Sequence, residues 1–138
     1  MAERTIVIIK PDGVKRGESV VRQIKQRYLE AGMRIIQEID LQLDRHQIRE
    51  FYKEHEGRSF FEDLVSAMTI GPCLVLVIEG EEAVEKVRAI NGATDPAKAA
   101  PGTIRYDFRD AESGGPRNIV HGSNSSIAAS REFLILVE

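Results

Sequence analysis

The stretch Asn118-Ile119-Val120-His121-Gly122-Ser123-Asn124-Ser125 sets a histidine directly before a glycine and a run of small polar residues. Glycine thins the backbone beside the imidazole at a predicted tight turn, so a substrate could approach the ring closely. Ser123, Asn124 and Ser125 are all helix-capping residues, which predicts a helix starting just past the histidine. Neutral imidazole is abundant near pH 7 and is one of the side chains that form covalent intermediates. Facing a phosphate held by basic residues, His121 would be a covalent phosphoryl acceptor. The plainer reading is a half-buried histidine that only ties a turn together.

Any phosphate would have to be held by side chains. The patterns G-x-x-x-x-G-K-S/T and G-x-G-x-x-G do not occur in the sequence, so no glycine-rich phosphate cradle is predicted. His55-Glu56 begins like a zinc-protease helix, but Ser59 stands where the second histidine would be needed, and a G-x-S-x-G elbow is missing. Arginine suits the task, because its planar fork matches phosphate oxygens bidentately.

The composition admits such an enzyme. A chain of 138 residues suits one domain, 1–138, with its own core; its hydrophobic fraction of 42% and charged fraction of 30% are ordinary for a globular protein. A net charge of −3 argues against non-specific nucleic-acid binding, which needs a positive field. Cys73 is the only cysteine and sits in an apolar run, which predicts a buried structural thiol and neither a disulfide nor a zinc site. The N-terminus lacks the pattern of a secretory signal, and no stretch approaches the ~20 apolar residues of a membrane span, so a cytoplasmic location without membrane attachment is expected.

The elements that must position His121 follow from hydrophobic patterning. Thr5 to Ile9 is a continuous apolar, β-branched run that predicts a central strand, ended by Lys10-Pro11-Asp12-Gly13. Val20 to Ala31 has helical spacing and stops at Gly32. Residues 33–43 alternate, predicting a long half-exposed strand. Asp44 with Gln47, and Ser59 with Glu62, resemble capping boxes opening two further helices. Cys73 to Ile78 reads as a strand and Glu81 to Asn91 as a helix, whereas residues 92–117 are rich in Gly and Pro and predict a functional loop. A short helix is predicted from about Ser125, and the run Phe133-Leu134-Ile135-Leu136-Val137 reads as a last strand.

In this order the residues closely resemble the nucleoside diphosphate kinases along essentially the whole chain. The match is carried by Lys10-Pro11-Asp12-Gly13-Val14 with Arg16-Gly17, Phe51-Tyr52, Arg58-Ser59-Phe60-Phe61, Gly71-Pro72, Gly92-Ala93-Thr94-Asp95-Pro96, Pro101-Gly102-Thr103-Ile104-Arg105 and Arg117 to Ser123. The resemblance implies an α+β ferredoxin-like βαββαβ core, with a four-stranded antiparallel sheet covered by helices. It implies ping-pong transfer of the γ-phosphate of a nucleoside triphosphate, mainly ATP, to a nucleoside diphosphate through phospho-His121. Lys10, Arg58, Arg88, Arg105 and Thr94 match the phosphate ligands, Phe60 and Leu64 the base slot, and Asn118 the ribose ligand. Tyr52 matches the tyrosine beside the histidine, Glu132 the carboxylate that orients it, and Ser123 a supporting hydroxyl. Mg²⁺ is expected to arrive on the nucleotide and not on protein side chains, and the expected assembly is a homo-oligomer of dimers, tetrameric or hexameric. His46 and His55 match no role in the reaction.

The pattern is broken at several points. Asn124 stands where the family usually carries Asp, Tyr106 replaces a glycine after Arg105, and 110–116 is a few residues longer than is common. Two other functions stand as alternatives: a nucleotide-binding regulatory protein, which these changes alone support, and a phosphohistidine carrier or phosphatase that uses the histidine without the shared nucleotide site. Phe60, Asn118 and Thr94 speak against the carrier, which needs no base slot.

Overall fold

A computed structural model describes residues 2–137. The first apolar run forms β1 (Ala2–Ile9), buried from Thr5 onward. Lys10 leads into a single helical turn, α1 (Pro11–Val14), with proline in its first turn where no N–H is required. The longer α2 (Glu18–Glu30) is followed by β2 (Arg34–Leu41), whose mixed burial is that of the half-exposed strand predicted, with a register shift between Ile35 and Gln37. Asp44 closes a complete capping box with Gln47 and opens α3 (Arg45–Phe51). The second box does not form: α4 (Phe61–Thr69) starts without a side-chain cap, and Glu62 instead pairs with Arg45 and Arg49.

Cys73 begins β3 (Cys73–Glu81), longer than expected, and α5 (Ala83–Asn91) follows. Within the predicted loop, Thr103 caps a short α6 (Ile104–Asp107). The C-terminal end departs most from expectation. The strand there is β4 (Val120–Gly122), so His121 lies in a strand and not at a turn, and Phe133 to Val137 belong to α7 (Ser126–Val137). Ser125 accepts from the Ala128 N–H at 3.0 Å, so the predicted cap is present. A five-residue apolar run cannot by itself separate a strand from a helix buried on two sides.

The strands form an antiparallel sheet in the order β2-β3-β1-β4, with α2 and α5 as crossovers and α3 and α4 inserted between β2 and β3. This is the ferredoxin-like α+β arrangement. Both faces of β1 are covered, which explains its unbroken apolar run. Ile6 and Ile8 face a core shared with residues of α3, α4 and α7, while Val7 and Ile9 face one shared with α2, α5 and α6. Residues paired across a ladder share a face, so His121, opposite Ile8, points to the first side and Gly122, opposite Val7, to the second.

Candidate active site

On its face of the sheet His121 meets the end of α3 and one side of α7. The Phe51 ring lies edge-on at 5.0 Å between centroids and Tyr52 at 6.5 Å. From α7, Glu132 brings Oε1 to 2.9 Å from His121 Nε2. The fully buried Ser123 hydroxyl donates to the same carboxylate oxygen at 2.6 Å. Burial raises the Glu132 pKa, but the opposing pull of His121, then Ser123 and Arg131, holds the carboxyl below its ordinary range. A carboxylate at Nε2 fixes the neutral ring with its proton there and its lone pair on Nδ1. Nδ1 has no hydrogen-bond partner among the described residues, and His121 lines the cleft.

Gly122 answers to packing on the opposite face. A Cβ there would lie 2.9 Å from Asn91 Nδ2 and 3.0 Å from Val87 Cγ1. The glycine predicted to admit a substrate therefore admits α5.

A cleft of about 490 Å³ opens in front of the imidazole. Lys10 forms part of its wall, 5% exposed, and donates from Nζ to Asn118 Oδ1 at 2.7 Å and to the Pro116 carbonyl at 3.2 Å. Its ammonium has three donors, which leaves one for a ligand. Burial brings its pKa down to about 8, opposed by Asp12 and aided by Arg105. Arg105 is also buried and donates to three carbonyls: Nη2 to Val120 at 2.6 Å, Nη1 to Gly92 at 2.7 Å and Nε to Asn118 at 3.2 Å. It thus fixes the strand carrying the histidine to the Gly92 loop, with two of its five N–H groups still free. Arg88 is exposed on α5 and donates to Asn124 Oδ1. Thr94 is exposed at the rim, and its carbonyl accepts from Asn118 Nδ2 at 3.0 Å. Asn118, expected to face a ribose, is thereby engaged at both ends of its amide by Lys10 and Thr94.

Phe60 is 43% exposed and Leu64 6%, side by side at the cleft mouth, whereas Phe61 at 4% belongs to the core. Arg58 is the one predicted phosphate ligand that does not line the cleft; it is exposed on the segment before α4. Sequence reasoning passed over His55, which lines the cleft 5.5 Å from the Phe60 ring and 6.1 Å from Tyr52. It also passed over Asn91, whose Oδ1 accepts from the Tyr28 hydroxyl beneath the cleft. Their signal was available only as helical spacing. Cys73 is buried, its thiol pushed up to about 12 mainly by burial, and it lies outside the cleft.

Buried and exposed cations thus surround a histidine whose rear nitrogen is held by a carboxylate, on a ferredoxin-like sheet: a class of protein built for covalent transfer of an anionic group. A nucleoside diphosphate kinase family model matches residues 3–138. The chain is 50% identical to nucleoside diphosphate kinase 2 of Protochlamydia amoebophila over 131 residues, 95% of this chain and 88% of that one. It is 47% identical to the nucleoside diphosphate kinase of Ignicoccus hospitalis over 133 residues, 96% of this chain and 87% of the other. Among solved structures, the Halobacterium salinarum nucleoside diphosphate kinase in complex with CDP superposes with a TM-score of 0.88 at 38% identity, covering 100% of this chain and 93% of its own. The Aquifex aeolicus nucleoside diphosphate kinase gives 0.88 at 33% identity, covering 98% and 94%. The chain belongs to the nucleoside diphosphate kinase family.

Proposed function

We propose that this chain transfers the γ-phosphoryl group of a nucleoside triphosphate, mainly ATP, to a nucleoside diphosphate through a phosphohistidine on His121. The observation that carries this reading is the Glu132 carboxylate at Nε2 with Nδ1 left open to a cationic cleft. The Nδ1 lone pair attacks the γ-phosphorus; the Nδ1–P bond forms, the bond to the β-phosphate bridging oxygen breaks, and the diphosphate leaves with that electron pair. Glu132 steadies the positive charge that grows on the ring. A second diphosphate then enters the same cleft and takes the phosphoryl group by the reverse step. Because one phosphoanhydride replaces another, catalysis reduces to positioning and charge neutralisation.

Lys10, Arg88 and Arg105 would neutralise the phosphates, aided by Thr94 and, after movement of its segment, Arg58. The Tyr52 hydroxyl, buried without a partner, supplies a further donor beside the histidine. Phe60 and Leu64 would take the base by stacking, which reads every π-face alike, and Asn118 the ribose once nucleotide loosens its present contacts. Mg²⁺ would arrive on the nucleotide, held by phosphate oxygens and water, and would shield their charge. The bare edge of β2, with Ile36 38% exposed, supports a homo-oligomer built from dimers. No helix among the described residues is long and apolar enough to cross a membrane.

The test is a two-step label transfer. Purified protein is incubated with γ-labelled ATP and Mg²⁺, freed of nucleotide, and assayed for acid-labile, base-stable label; GDP is then added. Label on the wild type but not on His121→Asn, moving to GTP, is the expected result. A wild type that binds nucleotide and takes no label defeats the proposal in favour of a binding protein. Steady ATP hydrolysis without acceptor would indicate a phosphatase.

A further inference from the structure

The turn between Asn118 and His121 holds a backbone conformation that its residues do not favour. Ile119 is β-branched and 2% exposed, yet its φ is 77°. Across it the Val120 N–H donates to the Asn118 carbonyl at 2.8 Å. An i→i+2 bond with positive φ at the central residue is the γ-turn of the rarer, strained hand, and such strain persists only where surrounding contacts enforce it.

The enforcing contacts come from the other end of the chain. The Ile119 carbonyl accepts from the Lys10 backbone N–H at 2.8 Å, and its own N–H donates to Asp12 Oδ2 at 2.9 Å. The other Asp12 oxygen is buried without a partner. Asp12 therefore accepts desolvation, which raises its pKa, in order to present one oxygen to this turn. Gly13 closes the clamp: a Cβ there would lie 3.0 Å from the Ile119 carbonyl oxygen and 3.2 Å from its Cγ2.

We infer that Asp12 is a positioning residue for the transfer reaction, holding the Ile119 γ-turn so that Asn118 reaches Lys10 and Thr94 while His121 meets Glu132. The inference rests on the proposed role of His121. Asp12 touches none of the reacting atoms; it acts through the turn. A rival account is purely electrostatic, in which the Asp12 charge serves to keep Lys10 protonated.

Three variants separate the two accounts, with wild-type label transfer measured first. A wild type that takes no label refutes the His121 reading and this inference with it, whereas a labelled wild type puts Asp12 alone on trial. Asp12→Ala removes the acceptor, and should lower kcat and the rate of His121 labelling about 10- to 100-fold, as small misplacements of a reacting group do, with nucleotide KM within about twofold. Asp12→Asn keeps an acceptor oxygen without the charge and should retain kcat within a few-fold. Gly13→Ala leaves Asp12 intact but pushes on Ile119, with Ile9 Cγ2 behind it at 3.0 Å, and should reproduce the kcat loss. The inference is overturned if Asp12→Asn is as impaired as Asp12→Ala with its basic pH limb displaced, or if Gly13→Ala matches the wild type. Should Asp12→Ala not fold, the Asn and Gly13 variants decide alone.

Discussion

The Arg88 guanidinium donates to the Asn124 side-chain carbonyl at 2.5 Å, joining α5 to the third residue past His121. Asparagine preserves the acceptor oxygen that aspartate would supply and removes its charge, so Arg88 is held at the cleft wall without being neutralised. Asn124→Asp should raise KM for the triphosphate about two- to fivefold, the scale of an exposed ion pair, with little change in kcat. Added salt should shrink the difference. Steady-state kinetics at low and at high ionic strength test this.

Lys10 gives the enzyme a basic limb. With its pKa brought down to about 8 by burial, the free enzyme loses this cation as pH rises through that value. The kcat/KM profile, which reports the free enzyme, should therefore fall with a midpoint near 8. The kcat profile should break at higher pH, because bound phosphate favours the ammonium. A kcat/KM profile flat to pH 10 would contradict the assignment.

Glu132 works in the opposite direction. Its carboxyl is held below its ordinary value of 4.5, so it contributes stability that is fully present above that value and is lost as pH falls through the lower native one. The melting temperature of the wild type should therefore exceed that of Glu132→Gln at neutral pH, and the gap should close in acid. The same variant should lower kcat by about 10- to 100-fold, since the charge that steadies the ring is gone.

Phe60 presents its ring to the cleft mouth and contributes little to the core. Phe60→Ala should raise KM for purine and pyrimidine nucleotides alike, by roughly the 1–3 kcal/mol of one base–aromatic stack, and leave the melting temperature unchanged. Selective damage to one base would show that the slot reads more than π-faces.

Gly122→Ala should destabilise the fold by about 1–3 kcal/mol, as overpacking does. Its Cβ would be driven into Val87 and Asn91. Chemical denaturation measures the loss, and a neutral result would mean that α5 gives way.

The strands that carry large apolar side chains, β1 and β3, were legible in the sequence, as was the capping box of α3. Two things were not. β4 is three residues long and holds a histidine and a glycine, so neither its length nor its side chains announce a strand. The α7 residues Phe133 to Val137 are apolar at consecutive positions, because the helix packs against both β1 and α3 while leaving Leu134 55% exposed; helical periodicity is erased. In the cleft, the resemblance supplied residue identities but not their present partners. Arg105 and Asn118 read as ligands, yet the first grips three carbonyls and the second bridges Lys10 to Thr94. Such contacts depend on where the chain returns, which local pattern does not encode.

The contacts in and behind the cleft wall join segments far apart in the sequence: Lys10 to Asn118 across 108 positions, and Asp12 to Ile119 across 107. A ribosome that has released the first hundred residues has therefore made β1 and its β3 partner, but not the Asn118 and Ile119 to which Lys10 and Asp12 bond. His121 and Glu132 are made later still than Asn118, so a growing chain lacks the proposed phosphoryl acceptor until well after Lys10 has been made. Phosphorylation would thus mark molecules in which these distant segments have already met.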